Sequence, residues 1–244
     1  MKTRALRTAV LLALIPLLSG CVYLRLNKLR MQMANFEKYA VFLDDPGPGL
    51  MLKEPVLLPS DLNWLTGLKP SKTEGDLERS ILSYELVKRP AKNTKEKAAD
   101  LRSEALFMFA NDKLARVQLP PQYNAILNGN VIAQLMKRAD KAEINQGSKA
   151  ARWAVEDSSI LPGMKQIRRA LGHPSKLETK DGEIILTYWY DLVGTDTAGP
   201  EVSAVFAYDL SDYSFMWGTG DVGKVHVRNQ NDGAGNYQLK LWRK

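Results

Sequence analysis

The sequence predicts an α+β fold built from two tandem helix-plus-antiparallel-sheet units behind an N-terminal tether helix. Two observations carry the tandem arrangement. Leu58-Pro59-Ser60-Asp61-Leu62-Asn63-Trp64-Leu65-Thr66-Gly67 is echoed by Leu161-Pro162-Gly163-Met164-Lys165-Gln166-Ile167-Arg168-Arg169-Ala170-Leu171-Gly172, each a short helical stretch with its own stop. Ser80-Ile81-Leu82-Ser83-Tyr84-Glu85-Leu86 then aligns without a gap, 104 positions on, with Ile184-Ile185-Leu186-Thr187-Tyr188-Trp189-Tyr190, and both read as strands. A third observation concerns the head of the chain, which carries an export leader and then an apolar stripe at helical spacing. The expected divisions are a leader at 1–20, a tether helix at 21–45, a first unit at 46–150 and a second at 151–244.

The leader opens with Lys2, Arg4 and Arg7, continues as an apolar run over 9–18, and ends Leu18-Ser19-Gly20-Cys21. A bilayer-spanning helix needs roughly 20 apolar residues, about twice this run, so the segment reads as a cleaved signal and not a membrane span. Small residues immediately before a cysteine form a lipobox, with cleavage between Gly20 and Cys21 and acylation of the Cys21 sulfur. Cys21 is the only cysteine, which rules out an intramolecular disulfide and leaves the thiol free for a lipid. Each buried methylene contributes about 0.8 kcal/mol, so several acyl chains anchor a protein far more firmly than one.

Charge and size bound the rest. The three leader cations account for part of the formal +7, leaving +4 on the mature chain. For an exported protein that excess points toward anionic lipid or cell-wall polymer, and no nucleic-acid partner is expected. A hydrophobic content of 45 % over 244 residues suffices for one large core or two small ones.

Behind Cys21, Val22, Leu26, Leu29, Met33, Phe36 and Ala40 recur at alternating spacings of four and three, the stripe of one helix of about five turns. Arg25, Lys28 and Arg30 lie off it. The stripe has three possible partners: the protein's own domain, the lipid headgroup layer, or a helix of another chain. Asp44-Asp45-Pro46-Gly47-Pro48-Gly49 then forms a hinge or turn, since two prolines and two glycines cannot continue a helix. Its aspartates lack the alternating spacing and closing glutamate of a calcium loop.

In the first unit Ser60 is the candidate N-cap, and in the second Ser159 or Pro162 opens the helix; Gly67 and Gly172 suit the left-handed C-terminal position. Strands follow at 104–109 and 202–208, with polar turns at Asn111-Asp112 and Ser211-Asp212, and third strands at 114–119 and 213–217. Residues 88–97, dense in lysine, read as a solvated insert of the first unit, with contact to an anionic surface as the alternative. Ala125, Leu127, Val131, Ile132, Leu135 and Met136 mark a helix between the units, and Lys149-Ala150-Ala151-Arg152-Trp153 leads to the second. The chain closes with a hairpin: Val225 and Val227 alternate with His226 and Arg228, and Tyr237, Leu239 and Leu241 alternate with Gln238 and Lys240.

The Leu-Gly-x-Pro ending of residues 167–174, the Tyr188-Trp189-Tyr190 strand and Val205-Phe206-Ala207-Tyr208-Asp209 are similar to the small SmpA/BamE outer-membrane lipoproteins. The match spans residues 160–210, and the first unit departs from it with Gly67-Leu68-Lys69-Pro70, one residue longer. The tandem arrangement resembles the β-lactamase-inhibitor-protein fold, in which a helical pair packs on an antiparallel sheet and the unit occurs twice. The whole chain resembles a group of proteobacterial lipoproteins. That resemblance implies the outer membrane, because the residue after Cys21 is Val22 and not aspartate.

No catalytic set assembles in the sequence. His173 and His226 have no cysteine or histidine at metal-ligand spacing, and there is no Gly-x-Ser-x-Gly, phosphate loop or His-Glu-x-x-His. Gly218-Thr219-Gly220-Asp221 reads as a wide turn. Asp191, Asp196 and Glu201 could form an acid/base pair for glycan cleavage, but nothing in their spacing is specific. Neither cofactor nor metal is expected. The expected function is a non-catalytic outer-membrane lipoprotein facing the periplasm, held to the membrane through Cys21 and binding an envelope protein as an accessory or scaffold. Alternatives are a module for peptidoglycan or lipopolysaccharide, using residues 88–97 with Trp153, Trp217 and Trp242, or an inhibitor of a periplasmic hydrolase using the loop at 194–200. Nothing in the sequence fixes an oligomeric state.

Overall fold

The computed structural model describes residues 22–76, 78–91, 101–137, 143–145, 150–155, 161–194, 202–220, 225–230 and 236–242. The fold is α+β. Helix α1 (Val22–Ala34) and a short α2 (Phe36–Tyr39) lead into the β1 (Ala40–Leu43) and β2 (Gly49–Leu52) hairpin. Then come α3 (Pro59–Thr66), β3 (Lys72–Gly75), β4 (Arg79–Lys88), β5 (Arg102–Ala110) and β6 (Lys113–Gln118). A 3₁₀ turn (Pro121–Ala125), α4 (Gly129–Lys137), β7 (Glu143–Asn145) and β8 (Ala150–Val155) follow. The chain continues with α5 (Met164–Leu171), β9 (Lys176–Lys180), β10 (Glu183–Leu192), β11 (Val202–Asp209), β12 (Phe215–Gly220), β13 (Val225–Gln230) and β14 (Asn236–Trp242).

The fourteen strands among the described residues join one sheet in the order β1-β2-β6-β5-β4-β10-β11-β12-β13-β14-β8-β7, with β3 also paired to β4 and β9 to β10. The middle of the sheet is the antiparallel pairing of β4 with β10 through Leu86–Leu192, Val87–Asp191 and Lys88–Tyr190. Adding 104 to Leu86 and taking 104 from Leu192 gives Tyr190 and Lys88, itself one of these pairs, while Val87 and Asp191 exchange with each other.

The same displacement recurs on both sides of this centre. Lys72–Ser83 and Thr73–Leu82 of β3 and β4 correspond to Lys176–Thr187 and Leu177–Leu186 of β9 and β10. The hydroxyl of Ser71 accepts the Glu85 N–H at 3.1 Å, and that of Ser175 accepts the Trp189 N–H at 3.1 Å. Val193 N–H donates to the Glu85 carbonyl at 2.9 Å, and Arg89 N–H to that of Trp189 at 2.8 Å. Beyond the next turn the displacement falls to 99: Tyr84 meets Phe107 edge-on at 5.4 Å, as Tyr188 meets Phe206 at 6.1 Å. A bulge interrupts β5–β6 at Met108/Phe109 and β11–β12 at Ala207/Tyr208.

Alternation along the strands decides which face is covered. Leu82, Tyr84, Leu186, Tyr188 and Tyr190 turn toward the helices and form two clusters, one with Leu62 of α3 and one with Ile167 of α5. Leu68 and Leu86 touch both, which makes the core continuous. Burying a large apolar side chain contributes about 1.5–3 kcal/mol, so these positions hold the layers together.

Several sequence expectations are corrected. The tether helix ends at Ala34, not near residue 45: Asn35 leaves helical geometry, its N–H bonding back to the Gln32 carbonyl, and Ala40-Val41-Phe42-Leu43 goes into a strand. The segment at 44–48 is the turn of the β1–β2 hairpin. Ser60 does not cap α3; the N-cap is Leu58 and the helix starts at Pro59, two residues earlier than a Ser60 cap would set, and the Asp61 carboxylate accepts the Leu58 N–H at 2.8 Å. Nor does Pro162 cap α5, where Gln166 reaches back to the Gly163 N–H at 2.7 Å; Ser159 lies outside the described residues. Gly67 takes the left-handed conformation at the end of α3 (φ 69°, ψ 5°), whereas Gly172 shares the positive φ of 72° but, at ψ −152°, leaves the left-handed helical region. The third strand of the second half is shifted to Phe215–Gly220, because Tyr213 takes φ 60° within the turn. Gly218 and Gly220 are strand residues and not a wide turn, and a Cβ at Gly218 would crowd Phe215 and Phe206 at 3.2 and 3.3 Å. Residues 150–153 belong to β8, which pairs with β14.

Candidate functional site

At the start of the described chain, α1 is docked on the folded body and not free. Leu26 and Leu29 pack on the α3 cluster, and Met33 forms a small cluster with Ala40 and Leu52. Arg25 grips Asp61 of α3 with two bonds of 2.6 Å, from Nε to Oδ2 and from Nη2 to Oδ1. The Asp61 side chain is 3 % exposed and that of Arg25 16 %. Burial raises the Asp61 pKa, but hydrogen bonds from Arg25 and the Leu58 N–H, with the guanidinium charge, outweigh it and hold the carboxyl below its ordinary value. Gln32 donates to the Glu54 carbonyl at 2.8 Å, and Tyr23 meets Trp64 edge-on at 5.5 Å. Of the three partners open to the stripe, the inner face of α1 has the protein's own domain. Gly20 and Cys21 lie outside the described residues.

The side of the sheet away from the helices presents alternate residues, among them Ile81, Glu85, Val87, Glu104, Leu106, Trp189 and Asp191, all half-buried or exposed. Part of it deepens into an open groove of about 510 Å³, floored by Glu85, Glu104, Leu106 and Gln118 and walled by Pro46, Pro120 and Pro121. Gln118 fixes the wall by donating to the Gly47 carbonyl at 2.7 Å. Charges on this side are paired across strands: Arg102 with Glu85, and Arg89 with Asp191 through contacts of 2.7–2.9 Å. The carboxylate of Asp191 raises the Arg89 pKa further.

Lys88, expected at the head of a solvated insert, is instead 2 % exposed. It ends β4, and its ammonium donates to the carbonyls of Leu171 and His173 at 3.0 and 2.9 Å, capping the C-terminus of α5 in the other half. A run of charged neighbours masked this role, because an aliphatic stem ending at helix carbonyls leaves no local sequence signal. Ala91 is the last described residue before the rest of that insert, and residues 92–97 lie outside the described residues.

Other expected site residues are dispersed or engaged. His173 is exposed in the turn after α5, its Nδ1 at 3.4 Å from the Arg168 guanidinium. Asp191 is held by Arg89, whereas Asp196, Glu201 and the loop at 195–200 lie outside the described residues. Trp217 is half-buried and donates to Glu183 at 3.0 Å. His226, Trp153 and Trp242 have strand positions, but their side chains lie outside the description. Burial pushes up the phenols of Tyr208, which donates to the Pro162 carbonyl at 3.0 Å, and of Tyr123, which pairs with Ser103.

No family model, curated protein or solved structure matches the chain. Among the described residues no three His, Cys, Asp or Glu side chains gather as metal ligands, and no described helix is long and apolar enough to cross a membrane.

Proposed function

We propose that the chain is a non-catalytic lipoprotein of the outer membrane. It is tethered through acylated Cys21, faces the periplasm, and serves as a protein-binding accessory or scaffold in envelope assembly or maintenance. In this reading the two halves are copies of one α+β unit joined edge to edge, as the recurrence of pairings and hydroxyl bonds 104 residues apart supports. The observation that carries the reading is the adjacency of lipobox and docked helix. Val22, next after the candidate lipidation residue, begins a helix fastened to the body by the Arg25–Asp61 pair. An anchor at Cys21 then holds the whole sheet at a fixed height, with the groove at Leu106 and Glu104 free for a protein partner.

Two measurements test this together. The mature protein carries acyl mass on Cys21, and Cys21→Ser moves it from the membrane to the soluble fraction; unchanged fractionation, or no acyl mass, overturns the anchor. A photo-crosslinking residue at Leu106 yields a discrete adduct in intact envelopes, while the same residue at Lys165 on α5 does not; equal adducts, or none, overturn the docking face.

A further inference from the structure

We infer that α1 lies flat between the body and the lipid leaflet, its outer face immersed in the headgroup layer; this rests on the lipid anchor proposed above. The helix is two-sided. Arg25, Leu26, Leu29, Gln32 and Met33 face the body, and what remains outward is Tyr23, Leu24, Asn27, Lys28 and Met31. Three of those five are large and apolar, yet Tyr23 is 38 %, Leu24 48 % and Met31 60 % exposed. At 100° per residue they fall on one stripe that runs the length of the helix.

A leaflet is the occupant that the surroundings select. Whatever its conformation, two peptide links separate Cys21 from Tyr23, so the stripe begins within about 7 Å of the acylated residue. The thirteen residues of α1 contain no aspartate or glutamate, and Lys28 interrupts the outward stripe with a cation, the composition of a helix lying in a phospholipid interface. Tyr23, edge-on to Trp64, adds an aromatic pair of the kind that favours the headgroup level. Docking and membrane contact are therefore simultaneous: one face belongs to the body and the other to lipid.

The test uses the acylated full-length protein. Its lipidated Cys21 offers no free thiol, so a single cysteine introduced by Met31→Cys takes an environment-sensitive fluorophore, with Glu178→Cys on the exposed strand β9 as the comparison. In vesicles of phosphatidylethanolamine and phosphatidylglycerol, the label at position 31 shifts to the blue and brightens several-fold. Brominated acyl chains then quench it, whereas the label at 178 remains water-like. Protein that carries acyl mass and floats with the vesicles, but whose label at 31 stays water-like, overturns the flat helix and leaves the anchor standing. Protein with no acyl mass that fails to float overturns the anchor and the flat helix together. A label at 178 that responds equally overturns the orientation.

Discussion

The Arg25–Asp61 pair is an expensive contact to break from one side. Both groups are drawn out of water, and among the described residues the carboxylate is satisfied by Arg25 and the Leu58 N–H. Removing one partner of a buried pair costs about 3–5 kcal/mol, because the other is left charged and desolvated. Arg25→Ala should therefore lower the urea midpoint markedly and free α1, read as faster amide exchange over residues 22–34. Acid acts on the same bond. The folded pKa of Asp61 lies below its unfolded value of 3.8, so the contribution is full above that value and is lost as pH falls through the lowered one. Amide protection of α1 should persist at pH 5 and fail in stronger acid; helix protection that is flat to pH 2 would count against the pair.

At the scale of elements, the strands were legible wherever alternation, β-branching and a turn signal coincided. The segments around Tyr84 and Tyr188 are examples, each followed by a hairpin partner of similar composition. The two helices with glycine stops were equally plain. Strands β1, β7 and β8 were not: β1 and β7 are too short to show alternation and pair with the next strand in the chain, while β8 takes its place from β14, far away in sequence. Asp61 could have been found as a cap, since an acidic residue just inside a proline-initiated helix is a helix-start signal. Its partner Arg25, 36 residues away, could not. The paired hydroxyls give a direct test of the duplicated unit. Ser71→Ala and Ser175→Ala each remove an acceptor from a strand N–H and should each lower stability by about 1 kcal/mol in urea denaturation. A loss at one site and none at the other would speak against equivalent units.

Taken whole, the molecule is fastened across its middle by the β4–β10 pairing, by Leu68 and Leu86, which touch both core clusters, and by a buried cation. Lys88 belongs to the strand of one half and to the helix end of the other. Lys88→Met leaves two carbonyls without their charged donor, at about 1.5–3 kcal/mol for hydrogen bonds to a charged group. The loss should appear as a single shifted transition by both tyrosine and tryptophan signals. Two separated transitions in the parent protein would show the halves to be independent.

Three register pairs and the flanking Arg89–Trp189 and Val193–Glu85 backbone bonds join β4 to β10, and they bring together parts of the chain about a hundred positions apart. During synthesis the part of β4 that pairs with β10 waits, its margin bare, until Tyr190 to Leu192 arrive. Closing so long a loop is slow compared with forming a hairpin. Truncation before residue 190 should therefore leave the β4 margin uncovered and yield a fragment that aggregates, read by light scattering, and not a smaller working version.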